Sequence, residues 1–169
     1  KNSAEMLELI GPRMVVRSQV RTKLAQADDS LLEIDDSLRL QIFYAFRALE
    51  VQEFYYKGAL ESARKQFPQQ PEEWIKDFAH TLAAEPSVAG HPTGGAVDVT
   101  LFDLELDTEV DMGVPINRKA IRQAGRLIYT ESPEVQGEIL ENRLLLRSVM
   151  ESVGFAPFSG EFWHFSYGD

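Results

Sequence analysis

Residues 38–44 show a two-residue alternation, with Leu38, Leu40, Ile42 and Tyr44 set apart by Arg39, Gln41 and Phe43, and this predicts a strand. From Leu49 to Gln66 the spacing becomes helical, with Leu49, Phe54, Leu60 and Phe67 separated by charged and small residues, and Pro68 should end that helix. A second helix is predicted over about residues 71–82. Pro71 suits a first helical position, Glu72 and Glu73 suit the positive end of the helix dipole, and Trp74, Phe78 and Leu82 form an apolar stripe.

Further on, AGHPTGGAVDVTL joins a Pro/Gly-rich loop to a short strand. Val97, Val99 and Leu101 should face the core, and Ala96, Asp98 and Thr100 the opposite way. Carboxylates then recur at Asp103, Glu105, Asp107, Glu109 and Asp111, with Leu104, Leu106 and Val110 opposite, which reads as a solvated hairpin face. The run lacks the glycine and the closing glutamate of a calcium loop. Residues 138–153 read as a packing helix with Ile139, Leu140, Leu144, Leu146 and Met150 as its apolar positions and Gly154 as its left-handed terminator. The aromatic-rich PFSGEFWHFSYGD predicts a final strand entered through Ser159 and Gly160. Strands interrupted by separate helices imply an α+β fold, with a small, mainly antiparallel sheet flanked by helices. At 169 residues, a single domain over 1–169 is expected.

Composition narrows the function. A formal net charge of -10 argues against nucleic-acid or anionic-membrane partners, which call for a basic patch. There is no cysteine, so disulfides, thiolate ligands and cysteine nucleophiles are excluded and any metal must use His, Asp or Glu. No run of about 20 apolar residues could span a membrane. KNSAEMLELIGPR lacks the apolar core of a secretory signal, although a chain beginning at Lys1 leaves room for a leader removed beforehand. A bacterial protein is expected, cytoplasmic or periplasmic, of open oligomeric state.

Of the three histidines, His80 lies in a predicted helix without an evident partner and reads as structural or exposed. His91 stands among Gly90, Pro92, Gly94 and Gly95, where small residues permit a turn, and Asp98 follows seven positions later. A loop and its adjoining strand can bring such a pair to one ion, and His164 supplies a third ligand of the type Zn²⁺ prefers. Glu161, three residues before His164, should sit in the bend before the strand. From there it could take a proton from a water whose pKa a zinc ion lowers from about 15.7 to about 7. The bland alternatives stand beside this: a histidine between Trp163 and Phe165 is often a hydrogen-bonded core residue, and an Asp near glycines is often a turn residue. Arg47, taken alone, reads as a helix-terminal surface charge. There is no G-x-S-x-G elbow and no phosphate-binding loop.

GHPTGGAVDVTL and EFWHFSYGD together resemble the S-x-H-x-x-G-x-A-x-D and E-x-W-H motifs of the D-Ala-D-Ala dipeptidase family, through His91, Gly94, Ala96, Asp98, Glu161, Trp163 and His164. YAFRALEVQ, DMGVP and NRLLLRSVMESVGF extend the resemblance over residues 34–169. It implies one Zn²⁺ per chain held by His91, Asp98 and His164, Glu161 as catalytic base, Arg47 beside the scissile carbonyl, and a small D-amino-acid dipeptide as substrate. Two positions depart from the family pattern: Ala89 replaces the leading serine, and Asn117 stands where an acidic residue is expected after DMGVP. Both belong to the substrate-binding set in the family. A D,D-carboxypeptidase or endopeptidase acting on longer peptidoglycan peptides is the nearest alternative activity. A non-catalytic zinc-binding module is a third reading, against which Glu161 speaks, because a structural zinc site usually has four protein ligands.

Overall fold

The computed structural model describes residues 4–168, apart from the side chains of residues 118 and 122. Residues 1–3 and Asp169, the last residue of the aromatic-rich segment, lie outside the described residues. In chain order the elements are α1 (Ala4–Ile10), α2 (Ser18–Ile34), β1 (Leu38–Tyr44), α3 (Leu49–Gln66), α4 (Glu72–Leu82), β2 (Ala96–Asp103), β3 (Thr108–Glu109), α5 (Arg118–Ala124), α6 (Glu138–Ser152), β4 (Ala156–Pro157) and β5 (His164–Ser166), with 3-10 turns at His91–Thr93 and Gly125–Ile128. The fold is α+β, as expected, around an antiparallel sheet of order β1-β2-β5-β4, with β3 also paired to β2.

β2 is central and buried along most of its length. Val97, Val99 and Leu101 face the main core, where α2 and α6 cover them. α2 has no counterpart in the sequence reading, yet its buried Val20, Leu24, Ala27 and Leu31 recur at helical spacing. The opposite face of β2 is buried as well, with Ala96 inaccessible and Asp98 and Thr100 nearly so. A small cluster of Met6, Tyr44 and Val51 from α1, β1 and α3 lies on that side of the chain.

The alternation of β1 fails at one position, and the failure shapes the site. Leu40 pairs with Leu101 and Ile42 with Val99, but the register then shifts and Tyr44 pairs with Asp98. A bulge with Phe43 as its extra residue therefore turns Tyr44 away from the face of Leu40 and Ile42 and onto the face of Asp98.

The acidic run forms a solvated turn between β2 and β3, with Asp103 Oδ1 accepting from the backbone N–H groups of Glu105 and Leu106. Leu104 and Leu106 are exposed there as well, and only Val110 packs on the core. The stripe expected on α4 also differs, because Ile75 and Ala79 are the buried residues while Trp74 and Leu82 remain substantially exposed. Trp74 and Phe78 stack on one another, and Phe67 meets both edge-on, giving the α3–α4 hairpin a small cluster of its own.

α6 contributes packing residues Leu146, Val149 and Met150 and, unexpectedly, a fully buried Arg143. Its guanidinium donates from Nε to the Met112 carbonyl (2.9 Å) and from Nη1 to the Tyr129 carbonyl (2.8 Å), and lies 4.4 Å over the Phe162 ring. Burial pulls its pKa down to about 10, so it remains a cation at neutral pH. It thereby ties the DMG segment to the turn that carries Glu161. Gly154 ends α6 at φ +96, the left-handed terminator expected. Among the described residues no helix is long and apolar enough to cross a membrane.

Candidate metal centre

Antiparallel pairing places Asp98 of β2 directly opposite His164 of β5 on one side and Tyr44 of β1 on the other. Residues paired in this way project from the same face with Cβ atoms about 5 Å apart, so three strands present Tyr44, Asp98 and His164 side by side. His164 Nδ1 lies 3.0 Å from Asp98 Oδ1.

His91 reaches the same carboxylate from the 3-10 turn before β2, with Nε2 3.4 Å from Asp98 Oδ1. Gly94 ends that turn at φ +72, a left-handed conformation that a side-chain-bearing residue would adopt only with strain. The β1–α3 connection clasps the turn twice. The Ala45 carbonyl accepts the Nδ1–H of His91 at 2.7 Å, and the Arg47 backbone N–H donates to the His91 carbonyl at 3.2 Å. Because a carbonyl can only accept, Nδ1 carries a proton there, and Nε2 is the ring nitrogen turned toward Asp98.

One ligand atom each from His91, Asp98 and His164 lies within 4.8 Å of the others, and His91 and Asp98 are buried. Two imidazoles and a carboxylate, held by ladder pairing and a backbone acceptor in a cysteine-free chain, fit the donor set of a zinc site with an open position. Burial alone would raise the pKa of Asp98, but the two imidazoles outweigh it and hold the carboxyl well below the ordinary range. For His164, burial alone would lower the pKa, yet the hydrogen bond and charge of Asp98 prevail and raise it above the ordinary imidazole value.

Glu161 occupies the turn before β5, as the spacing suggested. Burial, and then the negative charge of Asp98, push its pKa up to about 6. Arg47 lies near enough for its charge to act on both Glu161 and His164. The reading of Arg47 as a helix-terminal surface charge is corrected here: it is half-buried, with its guanidinium 4.7 Å from the Tyr44 ring and 5.3 Å from the Tyr55 ring. Its Nη1 donates to Gln52 Oε1 at 2.7 Å. Gln52 had been part of the YAFRALEVQ resemblance without a role of its own, and no hydropathy signal marks a fully buried glutamine.

The remaining candidates fall into two groups. Ala89 is buried two residues before His91, while Asn117 is the N-cap of α5, its Oδ1 accepting from the Ala120 N–H at 2.9 Å. That cap commits the side-chain oxygen of Asn117 to its own helix. His80 is exposed on α4, where its Nδ1 accepts from the Glu85 N–H, and is not one of the three clustered ligands.

The sequence profile of the D-Ala-D-Ala dipeptidases, M15 peptidases, matches residues 10–169. A D-alanyl-D-alanine dipeptidase of Synechocystis sp. is 32% identical over 177 residues, covering 92% of this chain and 70% of the relative. A second D-alanyl-D-alanine dipeptidase, from Enterococcus faecium, is 31% identical over 86 residues, 49% of this chain and 39% of that protein. Among solved structures, a variant of the vancomycin-resistance D,D-pentapeptidase VanY in complex with Zn(II) matches with TM-score 0.44 and 16% identity, over 91% of this chain and 73% of its own. VanYB in complex with D-alanine-D-alanine matches with TM-score 0.45 and 16% identity, over 91% and 72%. With a family profile spanning nearly its whole length and a relative sharing about a third of its residues, the chain belongs to the D-Ala-D-Ala dipeptidase family of M15 metallopeptidases.

Proposed function

We propose that this protein is a zinc peptidase that hydrolyses D-Ala-D-Ala or a closely related small dipeptide. The observation that carries the reading is the convergence of His91, Asp98 and His164 beside a carboxyl group, Glu161, whose pKa is raised to about 6. His91, Asp98 and His164 would hold one zinc ion per chain. When bound, zinc supplies Lewis acidity, which polarises a carbonyl and makes water a usable nucleophile near neutral pH.

The chain's own residues divide the rest of the chemistry. Glu161, ionised above pH 6, accepts the proton of the attacking water and returns it to the departing amine. Its raised pKa favours both halves of that exchange, because a carboxylate of ordinary pKa would hold the proton too weakly to deliver it. Arg47 donates to the substrate carbonyl oxygen as that oxygen gains negative charge, a contribution worth about 2.7–4 kcal/mol for one preorganised donor. Asp98 lies against both imidazoles, and the Ala45 carbonyl holds the His91 ring in its orientation.

The substrate follows from membership of the family and from the dipeptidase to which the chain is similar over 92% of its length. A dipeptide site gains selectivity by pairing both charged termini, and an acylated amine would leave its partners unsatisfied at a cost of about 1–3 kcal/mol. The test compares kcat/KM for free D-Ala-D-Ala, N-acetyl-D-Ala-D-Ala and a pentapeptide stem at equal zinc loading. The free dipeptide should lead by about tenfold to a hundredfold. Equal or faster cleavage of the longer substrates would replace this reading with a carboxypeptidase.

A further inference from the structure

Gln52 occupies the first turn of α3, is wholly inaccessible to solvent, and spends both ends of its amide on other parts of the chain. Its Oε1 accepts from Arg47 Nη1 at 2.7 Å, and its Nε2 donates to the Ala84 carbonyl at 2.6 Å. A helical side chain leans toward the N-terminus of its helix, so a residue one turn into α3 reaches back over the β1–α3 connection, where Arg47 sits. Ala84 belongs to the loop between α4 and the His91 turn. Gln52 thus joins Arg47, α3 and the approach to His91.

The guanidinium it holds has few other fixed contacts. Tyr44 Oη accepts from Nε at 3.4 Å, and the Tyr44 and Tyr55 rings flank the plane. Nη2 has no hydrogen-bond partner among the described residues. One end of the fork is therefore anchored and the other is left for a ligand. An arginine side chain has several rotatable bonds, and without Gln52 its guanidinium would be confined mainly by two aromatic faces, which restrict tilt more than sliding.

We infer that Gln52 is the positioning residue for Arg47, setting the guanidinium where it meets the substrate carbonyl. The inference rests on the proposed role of Arg47. A neutral amide suits the task better than a carboxylate would, because it anchors one donor without neutralising the charge that the developing oxyanion requires.

The experiment measures kcat and KM for D-Ala-D-Ala, together with zinc content, for Q52M, Q52E and R47A, and for each Gln52 variant in the R47A background. Q52M keeps volume and removes both hydrogen bonds, whereas Q52E keeps the acceptor for Arg47 and loses only the donor to Ala84. Q52M should lower kcat by roughly tenfold to a hundredfold, leave KM within about twofold and retain zinc, since small misplacements of a reacting group act on the chemical step. In the R47A background the same substitution should cost less than about twofold. Q52E should recover part of the kcat that Q52M loses, because it restores the anchor for Arg47 while offsetting some of the guanidinium charge.

If Gln52 serves only to brace the loop at Ala84, Q52E will be as damaging as Q52M, and the loss will be the same with and without Arg47. Either result overturns the inference. Should Q52M fail to fold, Q52E decides alone, because a loss as large as that of R47A contradicts the proposed role. A fully active R47A would remove the catalytic reading of Arg47 and this inference with it. An impaired R47A with additive Gln52 effects would overturn only the inference.

Discussion

Around Asp98, positions are set by ladder pairing and hydrogen bonds: His164 and Tyr44 by register, His91 by the Ala45 carbonyl, Arg47 by Gln52. The far end of the α3–α4 hairpin is built differently, from Phe67, Trp74 and Phe78 packed ring on ring over Ile75, Ala59, Ala63 and Ala79. Directional contacts fix an atom to within a fraction of an ångström, as a metal ligand must be fixed, whereas ring packing fixes a surface and tolerates adjustment. α3 takes part in both regimes, with Gln52 near one end and Ala63 near the other. The hairpin should therefore loosen without loss of the centre, while the centre should fail by single atoms.

The largest expected effect tests that statement at the ligands. His91→Ala or His164→Ala should abolish stoichiometric zinc and activity together, while His80→Ala on the hairpin leaves both intact. Metal analysis of the three purified variants checks it, and equal zinc in all three would contradict the assignment. Glu161→Gln should retain zinc and lower kcat by about 10² to 10⁴, since the amide keeps the shape but cannot take the proton.

Stability should separate the regions next. Leu101→Ala, in the main core, should cost about 2–5 kcal/mol in urea unfolding. Ile75→Ala should raise amide hydrogen exchange across α3 and α4 while zinc content stays unchanged. Loss of zinc in that variant would show that the hairpin and the centre unfold as one unit.

A smaller effect concerns the metal-free protein. Glu161 and His164 both bind protons more tightly folded than unfolded, so their contribution to stability is present at low pH and is lost as pH rises. For Glu161 the window runs from its ordinary value of 4.5 to about 6, and for His164 it lies above 6.5. The melting temperature of the metal-free protein should fall across this range by the equivalent of about 1–2 kcal/mol, and Glu161→Gln should flatten the lower part. Asp98 acts in the opposite sense, at acid pH, because its folded pKa is depressed. Least of all, Leu82→Ala on the exposed side of α4 should change stability by no more than about 0.5 kcal/mol.

Much of this protein was legible in the order of its residues. Local periodicity placed β1, α3, α4, β2 and α6 close to their observed bounds, because each buries a face whose repeat is written into consecutive positions. The metal-competent residues His91, Asp98 and His164 stood out by chemical type and by their motifs, as did Glu161 in its turn. Ring and carboxylate chemistry is a property of the side chain itself and needs no fold to be recognised.

Only the tertiary structure decided the rest. The bulge at Phe43 that carries Tyr44 to the face of Asp98 depends on the partner strand, not on β1 alone. The burial of Val97, Val99 and Leu101 on β2 depends on the α2 and α6 residues that pack in the same cluster. Arg47 changed from a surface charge to a held guanidinium because Gln52, Tyr44 and Tyr55 converge on it, and Arg143 is buried because two loop carbonyls and Phe162 receive it. A polar side chain is buried only where distant groups satisfy it, and the location of those groups is set by the packing of the whole chain rather than by its local spacing.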